Sequence, residues 1–184
     1  MRAPRLAKVV LLLVVLAGAF LRFAALDFGL PDRFRPDDQY VVENAARLGD
    51  GRGFNPHFAT YPAAQLYVAW AIGRTTEIVS GAHSRFPDLD AIRRWYLGGR
   101  IVGAVMGTLT ILFTALLAGA AAAWPARGRA ASAPGLLAAA LVAGGFVPVR
   151  ESHFATTDSP MTFWSVAAWL AMAADMRRWL EQNP

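Results

Sequence analysis

The sequence contains no cysteine, and only 17% of its 184 residues are charged. Without cysteine the chain cannot form a disulfide or a thiolate metal site, which excludes disulfide-stabilised secreted folds and cysteine-type zinc domains. A soluble domain usually has about 25% charged residues. The scarcity of charge is therefore unusual for a soluble domain and is more typical of a protein in contact with lipid.

Apolar residues make up 55% of the chain and occur in long blocks. A helix needs roughly 20 mostly apolar residues to cross a bilayer. Four blocks approach this length, and we interpret them as transmembrane helices over residues 8–26, 97–123, 133–149 and 160–176. The sequence thus predicts an all-α, polytopic membrane helical bundle with a long loop over residues 27–96 and no separate soluble domain.

The first apolar block follows Arg2, Arg5 and Lys8, an arrangement that also occurs in signal peptides. Its apolar stretch is longer than a usual signal core, and Arg22 interrupts the place where a cleavage site would lie. We therefore predict an uncleaved first span.

The net charge is +5, and the basic residues lie mainly at the ends of the apolar blocks. Four spans place the N-terminus, the turn at 124–129 and Arg177-Arg178 on one side, and all three are basic. Because Lys and Arg favour cytoplasmic flanks, this side is predicted to be cytoplasmic. The distribution favours membrane orientation over nucleic-acid binding. We expect a multi-pass plasma (inner) membrane protein with its 27–96 loop outside.

Two short helices are predicted inside this outer loop. The first covers about Asp38–Leu48, and its apolar face would contain Tyr40, Val41, Ala45 and Leu48. The second covers about Pro62–Val79. Its polar residues Gln65, Arg74 and Glu77 make it a poor span, so an amphipathic helix at the membrane interface fits better.

A first group of polar residues, Arg35 to Tyr40, follows the first span and contains the adjacent carboxylates Asp37 and Asp38. Carboxylates in this position can bind a cation or accept a proton from a nucleophile. They can equally cap a helix, because Asp accepts backbone N–H bonds and matches the helix dipole. Both interpretations stay open, and a cap would also hold a carboxylate in place.

A second group lies between the third and fourth predicted spans and contains Arg150, Glu151, His153 and Asp158. Ionisable groups near membrane depth are costly and are candidates for function. The alternative is a plain interfacial loop in which Asp158 caps the fourth span ahead of Pro160. The local pattern favours neither.

Two further features are ambiguous in the same way. The stretch from Asn55 to Pro62, with His57 and Tyr61, would shape either a substrate pocket or an aromatic belt at the interface. Arg22, near the outer end of the first span, would either extend its guanidinium to the interface or pair with an anionic phosphate.

Two outer segments together resemble a known family. "LDFGLP", "RPDDQYVVENAARL" and "GFNPHFATYPAAQLY" resemble the first outer loop of bacterial GT-C glycosyltransferases, and "RESHFATTDSPMTFW" resembles their second outer loop and the start of the fourth span. The closest groups are the family 39 protein O-mannosyltransferases and the lipid A aminoarabinose transferases, which use phospholipid-carried donors. The motifs occur in the same order and on the same predicted side.

The resemblance implies a membrane bundle with juxtamembrane helices in its first outer loop. It also implies transfer of a sugar from a polyprenyl-phosphate donor in the bilayer to a lipid, glycan or protein acceptor at the outer face. Asp37 matches the Asp of the family's Asp-Glu pair, which is the candidate base, while Asp38 replaces the Glu. Asp158 matches the acidic residue of the second loop. These three carboxylates are the candidate catalytic residues.

Substrate-binding candidates are the cationic and polar side chains of the same motifs. The leaving phosphate requires positive charge, for which Arg22 and Arg150 are candidates. Arg35 stands where the family commonly has His, and the remaining candidates are Tyr61 and His153. Metal dependence varies among relatives, so a divalent ion stays open, with Asp37, Asp38 and His57 as its possible ligands.

Members of the family usually continue for several hundred residues, which suggests that these four spans are the N-terminal portion of a larger transferase and are doubtful as an active unit alone. The alternative is a non-enzymatic membrane module, either a transporter fragment or an assembly partner. Two carboxylates facing one outward cavity would favour the enzyme.

Overall fold

The computed structural model describes residues 3–32, 35–49, 53–81, 86–123 and 132–183. Within these ranges the chain forms helices and no strand, which confirms the predicted all-helical fold. The helices are α1 (Ala3–Phe23), α2 (Pro36–Ala46), α3 (Ala63–Ser80), α4 (Leu89–Ala122), α5 (Ser132–Gly144), α6 (Phe146–Glu151) and α7 (Asp158–Gln182). The predicted basic turn at 124–129 lies outside the described residues.

The long helix α4 is the centre of a bundle and packs against α1, α5 and α7. Gly18 of α1 lies against both Ile111 of α4 and Ala143 of α5. Gly135, near the start of α5, lies against the backbone of Ala115 in the second half of α4, so α5 runs antiparallel to α4. Small residues at these crossings let the backbones approach closely, as in membrane helix pairs.

α7 runs in the same direction as α4. The rings of Phe113 and Phe163 lie 5.4 Å apart near the start of α7. Farther along, Ala121 of α4 and Met176 of α7 line a common groove. The chain therefore travels away along α4, returns along α5 and α6, and travels away again along α7.

The prediction of one uninterrupted third span over 133–149 is wrong. α5 ends at Gly144, and Gly145 has an extended backbone (φ −63°, ψ 132°) before α6 begins. The Gly144-Gly145 pair weakens the helix, and Pro148 has no N–H to donate to the carbonyl of Gly144. α5 has 13 residues, and such a helix is only about 20 Å long.

Two helical segments, Arg5–Phe23 and Leu89–Ala122, are long and apolar enough to cross a membrane. This is fewer than the four predicted: among the described residues α5 is apolar but short, and α7 does not pass the same test. Only 11% of the apolar window in the first segment is buried inside the protein. A core helix of a soluble protein would be mostly buried, so the exposed apolar surface of α1 favours contact with lipid.

The two helices predicted in the 27–96 loop are present as α2 and α3, and they cover the first turns of α4. Of the four residues predicted to share one apolar face, Val41, Ala45 and Leu48 are buried there, whereas Tyr40 is 52% exposed, so its placement with them was wrong. The polar residues of α3 help to attach it, because Glu77 accepts a hydrogen bond from Trp95 Nε1 of α4 at 2.7 Å.

Candidate functional site

A cavity of about 680 Å³ opens at the end of the bundle where α1 ends and α7 begins. Its wall combines charge, hydroxyl groups and an apolar part formed by Val142, Val147 and Val166. The polar lining consists of Arg22, Arg35, Arg150, Glu151, Asp158, Thr110, Thr114, Ser152, Ser159 and Thr162. Pockets that hold small ligands commonly have this composition, with a few polar groups set in an apolar wall.

Glu151 joins the two predicted motifs. Its Oε2 accepts a hydrogen bond from Arg35 Nη2 at 2.7 Å, and its Oε1 accepts one from Arg150 Nε at 2.8 Å and another from Arg150 Nη2. The Glu151 side chain is only 10% exposed. Arg35 also lies over the ring of Phe154, with 4.6 Å between the guanidinium carbon and the ring centroid. One buried carboxylate therefore connects the beginning of α2 to the end of α6.

Asp37 lies beside this group. Its Oδ1 accepts a hydrogen bond from the Tyr61 hydroxyl at 3.1 Å, and its Oδ2 is 3.9 Å from Arg35 Nε. Partial burial raises the pKa of Tyr61, and the carboxylates of Asp37 and Asp158 raise it further. Both carboxylates therefore act on one tyrosine, although 121 positions separate them in the sequence (158 − 37). Asp158 lines the cavity, and Asp37 adjoins it through Arg35.

Three aromatic rings lie together next to Asp37. The ring centroids of Tyr40, Phe58 and Tyr61 are 5.9 to 6.3 Å apart. The Asn55–Pro62 stretch thus brings an aromatic surface and a carboxylate to the same place.

The structure places Asp38 away from the cavity. The residue is 1% exposed, and its Oδ2 pairs with Arg100 Nη2 at 3.5 Å. Burial raises the pKa of Asp38 to about 6, although the Arg100 charge and a backbone hydrogen bond from Ala155 oppose this shift. Arg100 also donates to the carbonyls of Leu26 and Phe28, both at 2.8 Å. Asp38 and Arg100 therefore attach α2 and the turn after α1 to α4.

The capping interpretation of the acidic residues is wrong. α2 begins at Pro36 after Arg35, and Asp37 and Asp38 occupy its first turn without a side-chain capping hydrogen bond. Proline suits this first position, and the two acids complement the helix dipole. In α7, Thr157 occupies the capping position and Asp158 is the first helical residue.

Arg22 is fully buried, which rules out the predicted extension of its guanidinium to the interface. Nη1 donates to the carbonyls of Gly18 and Ala143 at 2.9 and 3.1 Å, and Nη2 donates to that of Val142 at 2.7 Å. The carbonyls of Val142 and Ala143 belong to the last turn of α5, which has no continuing helix to satisfy them. Arg22 therefore caps the broken helix and forms part of the cavity wall. Within the described residues its Nε has no hydrogen-bond acceptor.

The described residues include two of the three histidines, His57 and His153. His153 Nδ1 is 2.8 Å from the carbonyl of Val149, and Nε2 is 3.0 Å from that of Ala24, so the ring links α6 to the chain after α1. His57 is exposed and has a positive φ of 47°. Across the described ranges, no three His, Asp or Glu side chains are grouped closely enough to hold a metal ion.

Two residues important to this region were given no catalytic or binding role by the sequence. Glu151 adjoins Arg150 in the second motif, and only the fold reveals that it also binds Arg35. Arg100 lies within the predicted second span, and a charged residue in an apolar stretch is itself a signal that a partner is present.

No protein-family model, curated protein or solved structure matches this chain. The resemblance to GT-C transferases therefore remains a prediction from the loop motifs.

Proposed function

We propose that this chain belongs to a glycosyltransferase that takes sugar from a polyprenyl-phosphate donor and transfers it to an acceptor at the outer membrane face. The observation that carries the proposal is the cavity. Three arginines and several hydroxyl groups share its wall with valines, and three carboxylates lie at or beside it: Glu151 and Asp158 in the wall, and Asp37 next to Arg35. A prenyl phosphate matches this wall, because its anionic phosphate suits the arginines and its apolar chain suits the valines. Arginine is well suited to bind phosphate because its planar fork offers several N–H donors.

The side chains that line the cavity carry one more positive charge than negative charge, and Asp37 lies just outside this lining. Arg22, Arg35 and Arg150 contribute three positive charges, and Glu151 and Asp158 two negative ones. The Arg22 Nε–H has no acceptor among the described residues. A buried donor without a partner is costly, so a ligand oxygen reaching it would gain a charge-assisted hydrogen bond.

The transfer itself needs a base and a stabilised leaving group. Asp37 accepts the proton of the acceptor hydroxyl, whose oxygen attacks the anomeric carbon of the donor. The bond from that carbon to the phosphate oxygen breaks, and the electron pair stays on the phosphate. The arginines stabilise this developing negative charge. Tyr61 holds Asp37 in place through its 3.1 Å hydrogen bond.

The contacts also support a four-pass arrangement in the plasma membrane. Arg35 contacts Glu151, so the end of α6 lies on the same side as the beginning of α2. α1, α4, the α5–α6 pair and α7 would then each cross, with the N-terminus in the cytoplasm. The break at Gly145 is tolerable in lipid because Arg22 satisfies the carbonyls that it frees.

A binding experiment tests this function. The protein in lipid nanodiscs should retain a radiolabelled polyprenyl-phosphate-linked sugar, and Arg150→Gln should weaken retention about tenfold or more because a charge-assisted contact is lost. Arg93→Gln is the matched control, because Arg93 forms an exposed ion pair with Asp27 outside the cavity. If none of a panel of such donors binds, the proposal fails and a non-enzymatic membrane module is favoured.

Turnover tests the role of Asp37 separately. Asp37→Asn keeps the shape of the side chain but cannot accept the proton, so donor binding should persist while sugar transfer falls at least about a hundredfold. Unchanged transfer by this variant would remove Asp37 from the mechanism.

A further inference from the structure

Glu151 has an unusual environment for a carboxylate in a proposed anion-binding cavity. It is a buried acid that lines the cavity together with the two arginines that it binds. A negative charge in such a place repels an anionic ligand, so its presence requires a compensating role. The hydrogen bonds of Glu151 indicate what that role is.

The hydrogen bonds of Glu151 leave much of each guanidinium unused. An arginine has five N–H donors. Glu151 takes one from Arg35, through Nη2, and two from Arg150, through Nε and Nη2. The remaining donors of both arginines are not engaged by Glu151, so the carboxylate orients the guanidinium groups without occupying them.

The two arginines come from segments that are far apart in the sequence. Arg35 precedes α2, and Arg150 belongs to α6, a helix of six residues that follows the break at Gly145. Both side chains are long, and holding them in one geometry costs conformational entropy. A shared carboxylate orders both side chains before a ligand binds, so binding loses less conformational entropy. It also sets the distance between the two cations.

We propose that Glu151 is a positioning residue that fixes Arg35 and Arg150 at the spacing needed to bind one phosphate group together. This inference rests on the proposed function and adds a requirement to it: the acid is needed for anion binding, although its charge opposes the anion. Because Arg35 is also 3.9 Å from Asp37, Glu151 couples the phosphate position to the candidate base.

The test uses the full chain in nanodiscs and two probes, farnesyl phosphate and farnesol, which share a prenyl chain and differ in the phosphate. Glu151→Gln removes the charge and places an amide N–H₂ where one arginine requires an acceptor. We expect the affinity for farnesyl phosphate to fall about tenfold or more, as for Arg35→Gln, because one cation loses its orientation. Affinity for farnesol should not change. The matched control is Glu181→Gln, at an exposed position of α7.

A double variant separates positioning from a general loss of structure. If Glu151 acts through the arginines, Glu151→Gln should weaken phosphate binding far less in an Arg35→Gln/Arg150→Gln background than in the original chain. Tighter binding of farnesyl phosphate by Glu151→Gln would overturn the inference, since Glu151 would then be a competing counterion. Equal binding by Glu151→Gln and the original chain would overturn it while leaving the proposed function intact. Failure of the original chain to bind farnesyl phosphate would refute both.

Discussion

Asp38 shows how burial changes the chemistry of a single residue. Its neighbour Asp37 remains partly exposed beside the cavity, whereas the carboxyl group of Asp38 lies inside the packing of α2 on α4 against Arg100. Desolvation acts on Asp38, and the Arg100 cation at 3.5 Å offsets only part of it. Two adjacent acids thus have different roles, one at the proposed site and the other in the structure that supports it.

The pH dependence of stability should reveal the buried state of Asp38. Its pKa is raised to about 6, so the folded protein binds this proton more tightly than the unfolded chain does. The contribution of Asp38 to stability is therefore greatest below about pH 4 and declines by about 3 kcal/mol as the pH rises through 6. We expect the unfolding free energy of the original chain, minus that of Asp38→Asn, to decline over this interval in detergent micelles.

Asp27→Asn is the control for this prediction, because the Asp27 side chain is 58% exposed. The difference between the original chain and this variant should show no comparable decline. If the difference in unfolding free energy between the original chain and Asp38→Asn does not change with pH, the carboxyl group is not buried as described.

Arg22 illustrates a charged residue whose main partners are backbone groups. Replacing it by Met keeps a long apolar side chain but leaves the carbonyls of Val142 and Ala143 without their donor. We expect Arg22→Met to lower the unfolding free energy by about 2–4 kcal/mol, since unsatisfied buried acceptors are expensive. Arg5→Met, at an exposed position of the same helix, should change it by less than about 0.5 kcal/mol. Equal effects of the two variants in a thermal or denaturant titration would contradict the capping role.

At the scale of elements, close packing between α3 and α4 depends on a glycine. A methyl group at Gly73 would lie 2.3 Å from two ring carbons of Trp95. The indole cannot move away freely, because its Nε1 donates to Glu77 and Trp95 as a residue is only 2% exposed. α3 follows the segment that contains Phe58 and Tyr61, so its docking on α4 also positions the aromatic residues next to Asp37.

Gly73→Ala should therefore destabilise the protein by about 1–3 kcal/mol through overpacking. Gly144→Ala is the matched control, because its added methyl group would meet no other part of the described fold within 4 Å, apart from its own helix and chain neighbours. That variant should be neutral or slightly stabilising, since alanine reduces the entropy of the unfolded chain. Thermal unfolding of both variants is the measurement, and a neutral Gly73→Ala would show that the α3–α4 contact is looser than described.

At the scale of the whole molecule, the decisive property is how the helices lie relative to the bilayer. The absence of cysteine makes this accessible, because every introduced cysteine is a unique label. In intact cells, an impermeant maleimide should label Thr60→Cys and Asp158→Cys, and Ala133→Cys should react only after permeabilisation. If only α1 and α4 crossed the membrane, residue 158 would lie in the cytoplasm, and Asp158→Cys would not react in intact cells. Labelling of Thr60→Cys but not Asp158→Cys would thus refute the four-pass arrangement.

Local sequence determined the helical class, the two helices of the 27–96 loop and the apolar blocks, because hydrophobic length and periodicity act within a segment. The same local patterns singled out Asp37, Tyr61, Arg150 and Asp158. The break within the third block also had local signals, Gly144-Gly145 and Pro148, but the high apolar content of that block obscured them. The sequence alone overestimated the number of helices that are long and apolar enough to cross a membrane. One reason is that α7 combines apolar and charged residues.

Only the tertiary structure decided which polar side chains face one another. Glu151 binds Arg35 from 116 positions away, and Arg22 caps a helix that ends more than a hundred residues later. The tertiary structure also gave Asp37 and Asp38 different surroundings, although they are neighbours in the sequence and were predicted to act together. These outcomes depend on the packing angles and registers of distant helices. A buried polar group costs less free energy with a matched partner than without one, and this difference selects partners that no local pattern specifies.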